Sequence, residues 1–249
     1  MLLRDTALIF GRYARQTLRS GIHLAFGIMM PLLYLIFFGP LLTELPLGGR
    51  GDSWQILVPG LLLQLVLFGS AFAGFGLIVE RGHGVLERMR VTPVSRTALL
   101  LGRVLRDAAL LVLQSVLLVL AALAVGLRAP LAGVLIGFAF VGVLATALAA
   151  LSYALASLLP VPQTFGPIVN ATVMPVMLLS GLILPTAIGP GWLDTLSRLM
   201  PLRHLVDAVR AAYTGSYTGA PMLYGSLVAV ALTAAAVAVG TRAIRRPGG

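Results

Sequence analysis

Apolar residues fall in long runs along this chain, and the polar positions gather between them. A helix needs about 20 predominantly apolar residues to cross the hydrocarbon core of a bilayer. Runs of that length predict membrane spans at about 22–42, 54–79, 107–127, 131–159, 165–184 and 221–241. Glu44, Arg50 and Asp52 mark a loop after the first run, and Trp54 is expected at the membrane interface, where tryptophan prefers to sit. Arg128-Ala129-Pro130 separates the third run from the fourth. Residues 129–193 carry no charge and are too many for one span, so Pro160-Val161-Pro162 is read as the next break. Pro175 is expected to kink the fifth span. Gly133 and Gly137 form a small-xxx-small pair suited to close helix packing.

Three polar stretches complete the pattern. In residues 1–21, Arg12, Arg15 and Arg19 share one helical face among apolar neighbours, which predicts an interfacial helix with its arginines toward anionic head groups. No A-x-A site follows the first apolar run, so this helix is expected to be retained. Residues 80–106 set Arg81, Arg88, Arg90, Arg96, Arg103 and Arg106 against Glu80 and Glu87, and read as a charged lever between two spans. In residues 186–213, Pro190-Gly191 opens a short helix and Pro201 separates it from a second one, His204–Tyr213. Both are amphipathic and too short to cross.

Composition sharpens this picture. Of 249 residues, 59% are hydrophobic and 10% charged, with a mean hydropathy of +0.99. A soluble domain has about a quarter of its residues charged, so lipid solvates most of this surface. No cysteine is present, which excludes disulfides, thiolate catalysis and zinc–thiolate sites. The net charge of +10 rests on arginine alone, and the arginines cluster at span ends, which favours a membrane over nucleic acid. With the N-terminus inside, one face carries thirteen arginines and the other five. That bias predicts a multi-pass protein of the cytoplasmic membrane with both termini and the lever cytoplasmic.

Candidate chemistry is sparse. Without lysine there is no phosphate-binding G-x-x-x-x-G-K-[ST] loop. His23, His83 and His204 lie in separate segments, and no nucleophile or metal-ligand cluster accompanies them, although His204 and Asp207 are spaced for a local hydrogen bond. The predicted span interiors hold no Asp, Glu or Arg, unlike ion-driven pumps. Their polar residues are mainly Gln64, Gln114, Thr146, Ser152, Asn170, Thr172 and Ser180. Helix-to-helix hydrogen bonds are the favoured role for these. The alternative is a substrate path formed by Gln64, Gln114, Asn170, Thr172 and Ser180. Energy for transport would have to come from a partner.

The segment Glu80–Arg96, ERGHGVLERMRVTPVSR, resembles the cytoplasmic loop of ABC-2 type exporter permeases, above all the daunorubicin/multidrug resistance permeases. Leu179-Ser180-Gly181 with Pro185, followed by Pro201–Arg210, resembles that family's region between its last two spans. Val85 departs from the threonine common there. The resemblance implies an all-α membrane domain over residues 1–249, with six spans, a cytoplasmic coupling helix and short outer re-entrant helices. It also implies a second permease subunit, most simply a homodimer, and a separate ATPase that handles ATP and Mg, with no cofactor held by this chain. In the coupling segment, Glu87, Arg88 and Arg90 would make polar contacts with the ATPase and Leu86 would pack, with Glu80 and Arg81 leading in. Gly84 would allow close approach and Pro93 would end the helix. Gly181, Pro185, Pro201, His204 and Asp207 would form the outer gate.

The function expected is therefore a non-enzymatic transport subunit of an ABC exporter that moves a hydrophobic or amphipathic drug, antibiotic or lipid outward. Export of a polysaccharide or lipid-linked glycan is the alternative within transport. A membrane enzyme or a scaffold is the alternative outside it, disfavoured by the missing catalytic cluster and by the lever.

Overall fold

The computed structural model describes residues 6–11, 13, 15, 21–43, 53–82, 96–159, 161–182 and 190–245. Residues 6–11, 13 and 15 are helical, and among the described residues nine further helices follow. They are α1 (Gly21–Thr43), α2 (Ser53–Ala71), α3 (Phe75–Gly82), α4 (Arg96–Val125), α5 (Leu131–Leu158), α6 (Pro162–Leu179), α7 (Gly191–Arg198), α8 (Pro201–Tyr213) and α9 (Ala220–Arg245). No strand occurs among the described residues. Among the described residues, four stretches are long and apolar enough to cross a membrane, namely Ser53–Glu80, Thr97–Val125, Leu131–Leu158 and Ala220–Ala243, and Ala25–Leu41 is a shorter apolar helix. The chain is thus an all-α protein of the membrane type.

Burial divides the helices by role. Leu57, Val58, Leu61, Leu62, Leu63 and Val66 of α2 are all sealed from outside, as expected of a helix that is apolar all round and sits inside a bundle. α5 is the hub, packing against α2, α4, α8 and α9. By contrast α1 presents Phe26, Met30, Ile36 and Phe37, and α9 presents Leu223, Leu227 and Val230, on open faces. In water such faces would be aggregation sites, and in a bilayer acyl chains solvate them.

Three features add to the sequence expectations. Trp54 is buried against Gly39 of α1, which has no side chain to displace it. The stretch expected as one span, 54–79, breaks into α2 and α3 at residues 72–74. Ser152 of α5 enters that break: its hydroxyl donates to the Ala71 carbonyl at 2.6 Å and accepts from the Gly74 N–H at 2.9 Å. One serine thereby satisfies backbone groups that the interrupted ladder releases, which apolar surroundings would otherwise penalise. Third, α4 begins at Arg96 and continues past Asp107, so the end of the charged stretch is already helix. At 30 residues it is about 45 Å long, longer than a bilayer core of about 30 Å.

The amphipathic pair near the C-terminus is present as α7 and α8. Proline precedes the first residue of α7 and occupies the first position of α8, where its missing N–H costs nothing. α8 does not lie loosely over the bundle. Leu205, Val206, Ala208, Val209, Ala212 and Tyr213 are buried against α2, α5 and α9. Close approach is possible because glycines face it: a Cβ at Gly133 would strike the Ala212 carbonyl, and one at Gly225 the Ala208 side chain.

Candidate functional site

Charged side chains gather at the end of the bundle where α3 stops and α4 starts. Arg103 of α4 is 3% exposed and pairs with Glu80 of α3, which is 30% exposed. Its guanidinium also donates to the Tyr13 hydroxyl at 2.8 Å and lies over the Tyr13 ring, 5.0 Å from the centroid. The N-terminal helical segment is held there by Ile9 and Tyr13, packed on Ala98 and Leu99, with Ile9 resting on Gly102. One turn further along α4, Asp107 accepts a hydrogen bond from the Tyr153 hydroxyl of α5 at 2.7 Å and contacts Arg106 at 3.2 Å. Buried charges are tolerated only when paired and hydrogen-bonded, and here each acid has a basic neighbour. The result ties the N-terminal segment, α3, α4 and α5 together around the two ends of residues 83–95.

The opposite end is organised by Arg203 and Arg210. Asp194 of α7 pairs with Arg198 and Arg203, each at 2.7 Å, and Arg203 also hydrogen-bonds Ser197. Hydrogen bonds from Arg203 and then Arg198 hold the Asp194 carboxyl below its ordinary range. Arg210 reaches from α8 to three backbone carbonyls: Ile56 at 3.2 Å, Gly181 at 3.0 Å and Leu182 at 3.3 Å. Burial draws its pKa down to about 10, so it stays charged at neutral pH. The carbonyls just past α6 are the negative end of a helix, a natural seat for a cation. Gly181 adopts φ 65°, a left-handed turn that ends the α6 segment and presents its carbonyl to Arg210.

Between the two ends lies an apolar cavity of about 370 Å³. α2, α5, α6 and α9 form its walls, and Met200, Pro201 and Leu202, at the α7–α8 junction, also line it. Thr172, Ser180 and Ser152 are its polar members.

These positions sort the residues singled out from sequence. Of the coupling set, Glu80 joins the buried charge cluster and Arg81 lies in α3, whereas Gly84, Leu86, Glu87, Arg88, Arg90 and Pro93 lie outside the described residues. Of the gate set, Gly181 binds Arg210, Pro201 opens α8 and lines the cavity, and Pro185 lies outside the described residues. His204 and Asp207 do not form their expected hydrogen bond; Asp207 turns to Arg203 at 3.6 Å, and the His204 ring sits 6.2 Å from that of Tyr224. Of the path set, Thr172 and Ser180 line the cavity, Asn170 is on an exposed face, and Gln64 and Gln114 are buried elsewhere, Gln114 against Gly27. Asp107 and Tyr153 were not singled out, and Arg103 and Arg210 were named only as members of the charged lever and of the Pro201–Arg210 stretch. Arg103 and Asp107 stand one helical turn apart, but Arg103 turns to Glu80 and Asp107 to Arg106 and Tyr153, so the spacing did not disclose their partners, and nothing local marks Arg210 as a ligand for distant carbonyls.

A bundle of apolar helices with charge collected at one end, an amphipathic helix pair at the other and an apolar cavity between is the architecture of a multi-pass membrane protein. The chain matches the family model described as ABC-2 type transporter over residues 4–214, and it belongs to that family. Among its relatives is a chain of Cyanophora paradoxa named as the transport permease ycf38, 27% identical over 219 residues, covering 86% of this chain and 76% of that one. The daunorubicin resistance ABC transporter permease protein DrrB1 of Streptomyces coeruleorubidus is 24% identical over 191 residues, covering 76% and 68%. A Mycobacterium tuberculosis chain named for doxorubicin resistance, the ABC transporter permease DrrC, is 24% identical over 231 residues, covering 92% and 83%.

Proposed function

We propose that this chain is the transmembrane subunit of an ATP-driven exporter that moves a hydrophobic or amphipathic compound outward across the cytoplasmic membrane. The family match over residues 4–214 carries this reading, together with relatives named as drug-resistance permeases. Six crossings are assigned to α1, α2 with α3, α4, α5, α6 and α9, with both termini and residues 83–95 cytoplasmic, as the arginine bias favours. A separate ATPase docks on residues 80–96, and a second copy of the chain completes the transporter. Closure of the ATPase pushes this segment, and the Glu80–Arg103 and Asp107–Tyr153 contacts pass the displacement to α3, α4 and α5. At the outer end α7 and α8 re-enter the membrane and gate release, with Arg210 fixing α8 to the ends of α2 and α6. The apolar lining of the cavity favours a small hydrophobic cargo over a glycan.

Inverted membrane vesicles containing the permease and its ATPase test this reading with a hydrophobic fluorescent dye. Uptake that requires hydrolysable ATP is expected. Uptake driven by a proton gradient alone, or none from a folded complex, would contradict it.

A further inference from the structure

The α6 wall of the cavity is attached to the bundle unevenly. It packs against α2, α3 and α7, and over its middle Val169, Thr172, Val173 and Val176 line open space. Past the end near α7, Arg210 holds the Gly181 and Leu182 carbonyls. At the end near α3, Phe165 is fully buried. Its ring centroid stands 6.4 Å from that of Phe72, edge-on at 68°, and 6.1 Å from that of Phe75, tilted at 49°. Both separations lie in the range of attractive aromatic pairs, about 4.5–7 Å. Between the two attachments Pro167 and Pro175 each remove a backbone donor, which weakens the ladder and lets α6 bend.

Phe72 and Phe75 flank the α2–α3 break. Gly74, between them, has no room for a side chain, since a Cβ there would strike the Ser152 carbonyl. From this break α3 runs for eight residues and carries Glu80, paired to Arg103, in its last turn. We infer that Phe165 is a positioning residue that makes α6 follow α3. A displacement of α3 shifts the near half of α6, the two prolines absorb the bend, Arg210 keeps the far end in place, and the cavity changes shape. That this serves transport rests on the exporter reading; the mechanical link between α3 and α6 does not. Ordinary core packing would soften α6 wherever it was removed, whereas a link fails only when this contact is lost.

The test uses the full chain without any ATPase, in phosphatidylcholine nanodiscs. The chain has no cysteine, so Met174→Cys, at an exposed position of α6, carries a single trifluoroethyl thioether read by fluorine NMR. Gly74→Ala displaces α3 and should shift this resonance; Glu80→Gln, at the other end of α3, replaces it if Gly74→Ala does not fold. Adding Phe165→Leu should cut the shift to about a third or less, the non-additivity of coupled sites. Val169→Ala, on the same buried stripe of α6 but one turn from the aromatic contact, should leave the shift whole. Phe75→Leu, at a half-exposed ring, should cut it as Phe165→Leu does, and carries the test if Phe165→Leu fails to fold. No shift in the parent, a shift that the phenylalanine substitutions leave whole, or one that Val169→Ala cuts equally overturns the inference. With the ATPase present, Phe165→Leu should lower dye uptake per ATP hydrolysed several-fold while hydrolysis continues. A parent that shows the fluorine shift but no ATP-dependent uptake would sink the exporter reading alone.

Discussion

A guanidinium buried near the end of a membrane helix persists only if its charge is answered. Arg103 meets that condition through Glu80 and Tyr13, and the same three groups join the N-terminal segment to α3 and α4. Arg103→Ala would leave Glu80 unpaired. Removing one member of a fully buried pair costs about 3–5 kcal/mol. Glu80 is 30% exposed, so a loss of about 2 kcal/mol is expected, read as a lower unfolding temperature in detergent. Unchanged thermal stability would show that the pair holds nothing. In the sequence this arginine is one charge of the lever; its partners stand 23 and 90 residues away, beyond the reach of any local pattern. The interior hydroxyls were legible only as a class. Thr146 and Thr172 turn back to carbonyls of their own helices, whereas Ser152 makes the expected bond between helices.

At the scale of elements, punctuation was the most legible signal. Pro190-Gly191 and Pro201 mark the starts of α7 and α8 because proline fits the first turn of a helix. The α2–α3 break was not legible, because the hydroxyl that satisfies its backbone groups belongs to Ser152 on another helix. The pairing of α7 with α8 depends on Asp194, whose carboxyl the two arginines hold below its usual range. A carboxyl with a lowered folded pKa stabilises fully above its unfolded value of about 4, and the contribution fades as pH falls through the lowered value. The hairpin should therefore be insensitive to pH near neutrality and loosen only in acid. Emission from Trp192 in a Trp54→Phe background reports this, since these are the chain's two tryptophans. Asp194→Asn should mimic the acid form at neutral pH; emission equal to that of the parent at both pH values would contradict the argument.

For the whole molecule, the apolar runs disclosed a helical membrane protein, and the resemblance of Glu80–Arg96 and Pro201–Arg210 pointed to its family. Burial of α8 against α2, α5 and α9 was hidden, since an amphipathic 13-residue helix reads equally well as a surface element. Orientation can be tested cleanly because the chain has no cysteine. An impermeant maleimide should label Ser216→Cys in intact cells and Gly249→Cys only after permeabilisation; the reverse pattern would invert the assignment. The central claim is that residues 80–96 receive force from an ATPase. Its most direct test is purification of the tagged protein from native membranes in mild detergent, with bound proteins identified by mass spectrometry. The account predicts a stoichiometric ATPase that is lost when Glu87→Ala and Arg88→Ala are combined, while the permease stays folded. Recovery of the folded permease with no ATPase, or with one that the double substitution leaves bound, would contradict it.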